Sequence, residues 1–192
     1  VGVDIETAEG AECHTVDEGI RFDATLEGIA GVKLLSPEGK ITAASSSQIC
    51  DGSSAVLVVS EQALKEYGLT PLARIHNLTV TAGDPVIMLE EPLFATDRAL
   101  QRAGIGLEEI DVIEANEAFA AQACAVAREL EFDPEKTNVN GSGISLGHPV
   151  GATGAIMTVK LMEEMESRSD ELGLVTMCVG GGQGVATIFQ RT

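Results

Sequence analysis

The sequence predicts an α/β fold, in which strands alternate with helices and the two pack in layers. Short runs of β-branched and aliphatic residues, such as 55–59 and 185–189, have the length and composition of buried strands. Between such runs lie segments whose apolar residues recur at helical spacing, such as 95–103 and 154–165. Hydrophobic residues make up 44% of the chain and Trp is absent, so the predicted core is aliphatic.

Local signals mark the predicted elements and their ends. Ser60 is a suitable N-cap, Gly68 ends the helix that follows, and Gly104 stops the next helix. The predicted strands are residues 1–5, 55–59, 73–80, 110–114, 174–177 and 185–189, and the predicted helices are 24–32, 60–67, 95–103, 117–130 and 154–165. Residues 6–19, 37–40 and 85–92 are predicted as loops or turns, and 138–140 as a short extended piece. Regular alternation begins after Gly39, so we expect a boundary between residues 1–39 and 40–192.

The charge of the chain excludes some classes of partner. Thirty acidic and 12 basic residues give a formal net charge of −18, whereas nucleic-acid binding needs basic patches. The acidic residues are dispersed, which favours adaptation to high salt; a cation-binding surface is the alternative. No apolar run approaches the roughly 18 residues of a membrane helix, and no signal peptide is visible. We therefore expect a cytoplasmic protein, and since it starts at Val1 we expect a fragment or a processed product.

The most informative stretch is residues 140–154, where five glycines and one proline surround a single histidine, His148. Glycine is unfavourable inside helices and strands, so such a density indicates unusual backbone angles or close approach to a ligand. The apolar spacing after Gly154 predicts that this loop leads into a helix, whose N-terminus offers free N–H groups. Imidazole is the base suited to neutral pH, so His148 is a candidate catalytic residue rather than a structural histidine.

Two further motifs accompany this loop. Asn116 follows a predicted strand, in the sequence Asn-Glu-Ala-Phe, where an isolated asparagine would usually be a helix N-cap. Cys178 ends another predicted strand, ahead of three glycines, where an isolated cysteine would usually be a small core residue. Backbone N–H groups at such a turn can stabilise a thiolate or an oxyanion. None of the four cysteines has the spacing of a metal site, so we expect reduced thiols and no bound metal.

In this order and at this spacing, the three motifs resemble the C-terminal half of the thiolases, from about Asp17 to the C-terminus. The resemblance implies a layered α/β/α fold with a mixed sheet and an acyl-CoA acyltransferase activity. It implies that Asn116 holds a water in a first oxyanion hole and that His148 activates the nucleophile and contributes to the same hole. It further implies that Cys178 shuttles the substrate α-proton and that the N–H of Gly180 forms part of a second oxyanion hole.

The resemblance also implies a set of contacts with coenzyme A, which is a substrate, so that no cofactor is expected. Ser47 matches a serine that touches the pantetheine arm, and Arg21, Met88 and Phe119 fall where the family contacts CoA or lines the acyl pocket. Two positions depart from the family pattern. Cys50 precedes Asp51-Gly52 where many members carry asparagine, and Ser142 stands where glycine is usual.

Claisen chemistry needs a nucleophilic thiol as well as a base, an acid and two oxyanion pockets. In the family the acylated cysteine lies in the N-terminal half, and no cysteine here matches it. The resemblance therefore implies that this chain supplies only the acid–base half, is inactive alone, and works with the N-terminal half in a homo-oligomer, a dimer or tetramer.

Two other functions remain open at this point. A ketoacyl synthase shares the fold, but that class resembles a Cys-His-His or Cys-His-Asn site without a cysteine like Cys178. A non-catalytic half that binds only CoA or a partner subunit would explain the unmatched nucleophile.

The dispersed negative charge gives a first testable prediction. Raising KCl from near zero to molar concentrations shortens the screening length from tens of ångströms to about 3 Å, which weakens repulsion between surface carboxylates. The melting temperature of the chain should therefore rise with KCl, as followed by circular dichroism. A melting temperature that stays flat or falls over this range would contradict adaptation to high salt.

Overall fold

The computed structural model describes residues 2–192 and divides into two units, the first up to Gly31 and the second from Val32 to Thr192. The first unit contains an antiparallel hairpin of β1 (Val3–Thr7) and β2 (Gly10–His14), followed by the short helix α1 (Leu26–Ala30). Residue 1 of the strand predicted at 1–5 lies outside the described residues. The loop predicted through Gly19 is wrong where β2 forms. This strand is almost wholly exposed, so no apolar pattern marked it.

The second unit is built on a mixed four-stranded sheet. Its strands are β3 (Ala73–Ala82), β4 (Val112–Ala115), β5 (Leu172–Val179) and β6 (Gln183–Arg191), in the spatial order β3-β6-β5-β4. Only β4 and β5 run parallel; the other neighbours are antiparallel. The helices are α2 (Glu61–Tyr67), α3 (Glu91–Ala103), α4 (Ala120–Glu129), α5 (Gly143–Leu146) and α6 (Thr153–Arg168), and short 3-10 turns lie at Ala43–Ser45 and Leu107–Glu109.

Helices cover both faces of this sheet. Successive residues of a strand point to opposite faces, so adjacent core residues fall into different clusters. Leu174 packs with Ala95 and Ala99 of α3, whereas its neighbour Val175 packs with Leu161 of α6. The same alternation divides the adjacent residues of β4 and β6 between the two clusters. The result is a layered α/β/α arrangement with a mixed sheet, as the pattern of elements and the resemblance together predicted.

Most predicted boundaries are confirmed within a few residues. Ser60 caps α2 by accepting from the N–H of Ala63, and Gly68 ends it in the left-handed conformation. Helix α3 begins at Glu91, inside the loop predicted for 85–92, since Pro92 suits the first helical turn. Helix α4 begins at Ala120 rather than residue 117, because Phe119 is held extended by a bridge to Ser46.

One predicted strand and one predicted extended piece are wrong. Residues 55–59 form no strand and are mostly exposed, with Leu57 at 78% and Val58 at 69%. The run has the composition of a buried strand, but within residues 2–192 it has no neighbouring strand to pair with. Residues 138–140 form a turn instead of an extended piece, with Asn138 at a positive φ of 50°. The amide of Asn138 hydrogen-bonds both the N–H and the C=O of Ala115 at 2.8 Å, which holds that turn against β4.

Candidate active site

The parallel pairing of β4 with β5 brings two of the predicted site residues to one edge of the sheet. Asn116 directly follows β4, and its N–H donates to the C=O of Thr176 at 3.0 Å. Cys178 lies two residues further along β5. The carboxyl ends of neighbouring parallel strands are the usual place for ligand sites in α/β sheets. Asn116 is buried, at 2% exposure, while Cys178 is half-buried.

The loop between α5 and α6 places His148 next to Asn116. The Nδ2 of Asn116 lies 3.5 Å from the Nε2 of His148, and the N–H of His148 donates to the C=O of Gln48 at 2.7 Å. Gly147 precedes the histidine at a φ of +91°, and a Cβ there would lie 2.5 Å from the Sγ of Cys50. Only glycine meets both requirements, so the chain enters His148 in a fixed direction.

The protonation of His148 follows from its surroundings. The side chain is half-buried, and burial lowers the pKa of His148 below its ordinary value, because the charged imidazolium loses hydration. At neutral pH the neutral imidazole is therefore favoured. A neutral ring can accept a proton, which is the property a general base requires.

The pKa of Cys178 is shifted in the opposite direction from that of His148. Burial raises the pKa of the Cys178 thiol, and a backbone hydrogen bond opposes this only in part. The resting side chain is therefore a protonated thiol, suited to donating a proton at neutral pH rather than to nucleophilic attack.

The turn after Cys178 leaves backbone open to a ligand. Nothing lies within 4 Å of a Cβ built on Gly180, which is exposed. Gly182 has a φ of +82° and contacts the loop before α3, where the N–H of Gly83 donates to its C=O at 2.8 Å. This contact anchors one end of the turn and leaves the Gly180 end accessible.

A serine that the sequence marked only as a departure from the family pattern holds the end of β4. The hydroxyl of Ser142 donates to the C=O of Ala115 at 3.0 Å and accepts from the N–H of Glu117 at 3.3 Å. Together with the amide of Asn138, it satisfies the backbone on both sides of Asn116. Ser142 is therefore a supporting residue of the site.

A buried ion pair fastens the glycine-rich loop to the sheet. The Nζ of Lys160 lies 2.7 Å from the carboxylate of Glu114, whose side chain is fully buried, and it also donates to the C=O of Gly141. Burial raises the pKa of Glu114, while the hydrogen bond and charge of Lys160 oppose that shift. No local pattern marks the pair in the sequence, because its partners are 46 residues apart.

The predicted CoA contacts are brought together only in part. The N–H of Ser47 donates to the C=O of Ala118 at 2.9 Å, and the bridge between Ser46 and Phe119 makes Ser47 and Phe119 neighbours, on the segment that directly follows Asn116. Met88 is half-buried in the loop before α3, at a φ of 29°. Arg21 is exposed in the first unit.

One site residue went unnoticed in the sequence. The hydroxyl of Thr153, the first residue of α6, lies 2.6 Å from the Nδ1 of His148. The only feature of the sequence that could have indicated this contact is that Thr153 lies five residues after His148, directly before the start of a predicted helix.

These features define an α/β protein with a histidine, an asparagine and a thiol at the carboxyl edge of its sheet. The family model of the thiolase C-terminal domain matches residues 69–191, and that of the thiolase N-terminal domain matches residues 1–62. The chain belongs to the thiolase family of enzymes.

Curated relatives agree with this assignment. The chain is 45% identical to an acetyl-CoA acetyltransferase of Paracoccus denitrificans, over 100% of this chain and 49% of the relative. It is 47% identical to a 3-ketoacyl-CoA thiolase of Idiomarina loihiensis, over 92% of this chain and 47% of the relative. The chain thus spans about half the length of the curated relatives it matches.

Solved structures show the same fold. The acetyl-CoA acetyltransferase of Bacillus anthracis superimposes with a TM-score of 0.91 at 44% identity, and human mitochondrial 3-ketoacyl-CoA thiolase with 0.87 at 38%. Both comparisons cover 100% of this chain and 49% of the other.

In the part of the chain that the structure describes, no helix is long and apolar enough to cross a membrane.

The ion pair gives a prediction about stability. Lys160→Met leaves the Glu114 carboxylate buried without a counter-charge, which should lower the free energy of unfolding by about 3–5 kcal/mol at neutral pH. The raised pKa of Glu114 means that the folded chain holds this proton more tightly than the unfolded chain does. The contribution of Glu114 to the free energy of unfolding therefore falls as pH rises from the usual glutamate pKa through the raised one. Because Lys160 lowers the pKa of Glu114, its removal raises that pKa further, so the variant goes on losing stability at pH values where the parent no longer does. The loss in Lys160→Met relative to the parent should accordingly grow as pH rises above the raised pKa of the parent, as measured by urea unfolding.

Two controls accompany this measurement. The Glu61–Lys65 pair has a similar distance, 2.6 Å, but is exposed, so Lys65→Met should change stability little. Adding Glu114→Gln to Lys160→Met removes the buried charge and should recover stability and flatten the pH dependence. Equal losses in Lys160→Met and Lys65→Met would show that the buried pair has no special role.

Cysteine labelling tests the state of Cys178. Since the thiolate is the reacting form, iodoacetamide should modify exposed Cys13 and Cys124 before half-buried Cys178 at about pH 7. Raising the pH should speed modification of Cys178, as measured by peptide mass spectrometry. Labelling in urea is the control and should bring the rates together. Preferential labelling of Cys178 at neutral pH would indicate an activated nucleophile instead of a resting acid.

Proposed function

We propose that the complete protein is a thiolase that catalyses reversible thiolysis of 3-ketoacyl-CoA or Claisen condensation of two acyl-CoAs. The observation that carries the proposal is the contact of Asn116 with His148 at one edge of the sheet, where Cys178 lies next to the last residue of the neighbouring parallel strand β5. The matched family models and the names of the relatives support it. The N-terminal half would supply the nucleophilic cysteine that this chain does not match.

In the cleavage direction, His148 would accept the proton of the nucleophilic thiol at Nε2, and the thiolate would attack the 3-keto carbon. The bond between the keto carbon and the α-carbon then breaks, and its electron pair moves to the α-carbon. The S–H of Cys178 would give its proton to that carbon and release an acyl-CoA shorter by the transferred acyl group. A CoA thiol would then give its proton to the Cys178 thiolate and attack the acyl thioester on the nucleophilic cysteine. That bond breaks, the second acyl-CoA leaves, and the freed cysteine sulfur recovers its proton from His148. Condensation runs through the same steps in reverse. The lowered pKa of His148 and the raised pKa of Cys178 both support these roles.

Negative oxygen would be stabilised at two places. Asn116, through a bound water, and His148 would form the first oxyanion hole. The Oδ1 of Asn116 is buried without a hydrogen-bond partner within residues 2–192, and Asn116, Thr153 and Lys160 line a cavity of about 20 Å³. A cavity of this size admits one water. The open N–H of Gly180 would serve the second hole.

Coenzyme A would enter as a substrate and not as a resident cofactor. Ser47 and Phe119 are the contacts best supported by position, because both lie at the segment that directly follows Asn116. We retain Met88 and Arg21 as further CoA contacts and residues 1–39 as the tail of the CoA-binding loop region. A cytoplasmic homo-oligomer, a dimer or tetramer, completes the proposal.

The experiment compares the 192-residue chain with the complete enzyme. The chain alone should neither cleave acetoacetyl-CoA nor form a stable acyl adduct, and the complete enzyme should do both. In the complete enzyme, His148→Ala should lower kcat by at least about a hundredfold, the scale of a lost general base. His76→Ala is the matched control, since His76 lies at the irregularity of β3, away from the sheet edge that carries the site.

Cys178→Ser separates the two thiol roles in the complete enzyme. Acyl transfer to the other cysteine should remain detectable by mass spectrometry, whereas exchange of the α-proton with solvent should be lost, because serine is a far weaker base than a thiolate. Turnover accompanied by an acyl group on Cys178 of the isolated chain would reverse the assigned roles.

A further inference from the structure

Thr153 connects the imidazole of His148 to the backbone. Its hydroxyl oxygen lies 2.6 Å from the Nδ1 of His148 and 3.0 Å from the C=O of Pro149. The side chain is 4% exposed, so water does not compete effectively for either contact. Nothing in the proposed proton transfers uses this threonine.

One proton is available for these two contacts. A threonine hydroxyl carries one proton, and the C=O of Pro149 is an acceptor for it at 3.0 Å, although the N–H groups of Ala152 and Thr153 also donate to this carbonyl. With the proton directed to that carbonyl, the hydroxyl oxygen accepts from His148, and Nδ1 carries the hydrogen donated across the 2.6 Å contact.

The opposite side of the ring gives the same answer independently. The Nδ2 of Asn116, at 3.5 Å from Nε2, has hydrogens to donate and cannot accept. A neutral ring next to this group must present its lone pair at Nε2. The two contacts agree on a neutral ring with its hydrogen on Nδ1.

We propose that Thr153 is a positioning residue that holds His148 in the Nδ1–H tautomer, so that the Nε2 lone pair is free toward Asn116. The tautomer itself rests on the contacts of the ring. Its catalytic consequence rests on the proposed function, because Nε2 is the atom that would accept the proton of the nucleophilic thiol. The hydroxyl acts through His148 and touches no substrate in this scheme.

Nitrogen NMR of the 192-residue chain, labelled with ¹⁵N-histidine, tests the tautomer directly. Only three histidines are present, and the signals of His148 are identified by their loss in His148→Gln. Above the titration of the ring, Nδ1 should have the shift of a protonated nitrogen and Nε2 that of an unprotonated one. The reverse pattern in the parent chain would overturn the proposal without any variant of Thr153.

Variants then test the part played by the hydroxyl. Thr153→Val keeps the shape but removes the acceptor, and should change the ratio of the two tautomers by roughly three- to tenfold toward Nε2–H, the scale of one hydrogen bond. Thr153→Ser keeps the hydroxyl and should restore the parental ratio. Thr158→Val is the matched control, because Thr158 also lies in α6 and donates to the carbonyl four residues earlier, at 2.8 Å, in its case that of Gly154.

Circular dichroism should show that these variants remain folded, and Thr153→Ser keeps the test available if Thr153→Val does not. An unchanged tautomer ratio in folded Thr153→Val, or an equal change in Thr158→Val, would overturn the positioning role.

In the complete enzyme, Thr153→Val should lower kcat in proportion to the lost Nδ1–H population while KM changes little, and Thr153→Ser should restore it. A changed tautomer ratio with an unchanged kcat would uphold the role of Thr153 and contradict His148 as the base. The failure of the proposed function is thereby distinguished from the failure of this inference.

Discussion

Strands β4 and β5 run parallel over four residue pairs, from Val112–Gly173 to Ala115–Thr176, and the candidate site lies where this pairing ends. The hydrogen bond from the N–H of Asn116 to the C=O of Thr176 extends this pairing by one residue. Asn116 therefore lies next to the end of β5, the strand that carries Cys178. A shift of one residue would turn every side chain of β4 to the other face and remove Asn116 from the histidine. The geometry of the site therefore depends first on the register of β4 against β5 and only then on individual side chains.

Local signals in the sequence were sufficient for much of the architecture. Glycine at positive φ and serine at an N-cap act over a few residues, so Gly68, Gly104 and Ser60 marked helix ends correctly. The apolar runs of β5 and β6 are buried on both faces, which makes them readable as continuous strands. The glycine-rich loop identified His148 as the centre of the site because its composition excludes an ordinary helix or strand.

Other features could not be predicted because they depend on partners distant in the sequence. Residues 55–59 have strand composition, yet a strand exists only where another strand can pair with it. The Glu114–Lys160 pair and the Ser142 bonds join residues more than 20 positions apart and have no local pattern. Polar contacts of this kind decide protonation and orientation, so the chemistry of the site was less predictable than its location.

The bond between His148 and Thr153 links the site to the ordering of a helix terminus. Thr153 is the first residue of α6, and the ends of helices open more readily than their middles because their backbone groups have fewer intrahelical bonds. Here the bonds from the N–H groups of Ala152 and Thr153 to the C=O of Pro149 close the turn that leads into α6. Fraying of this turn would separate the hydroxyl from the imidazole. Local opening at the start of α6 needs less free energy than global unfolding, so it is a motion that would free the ring while the rest of the chain stays folded.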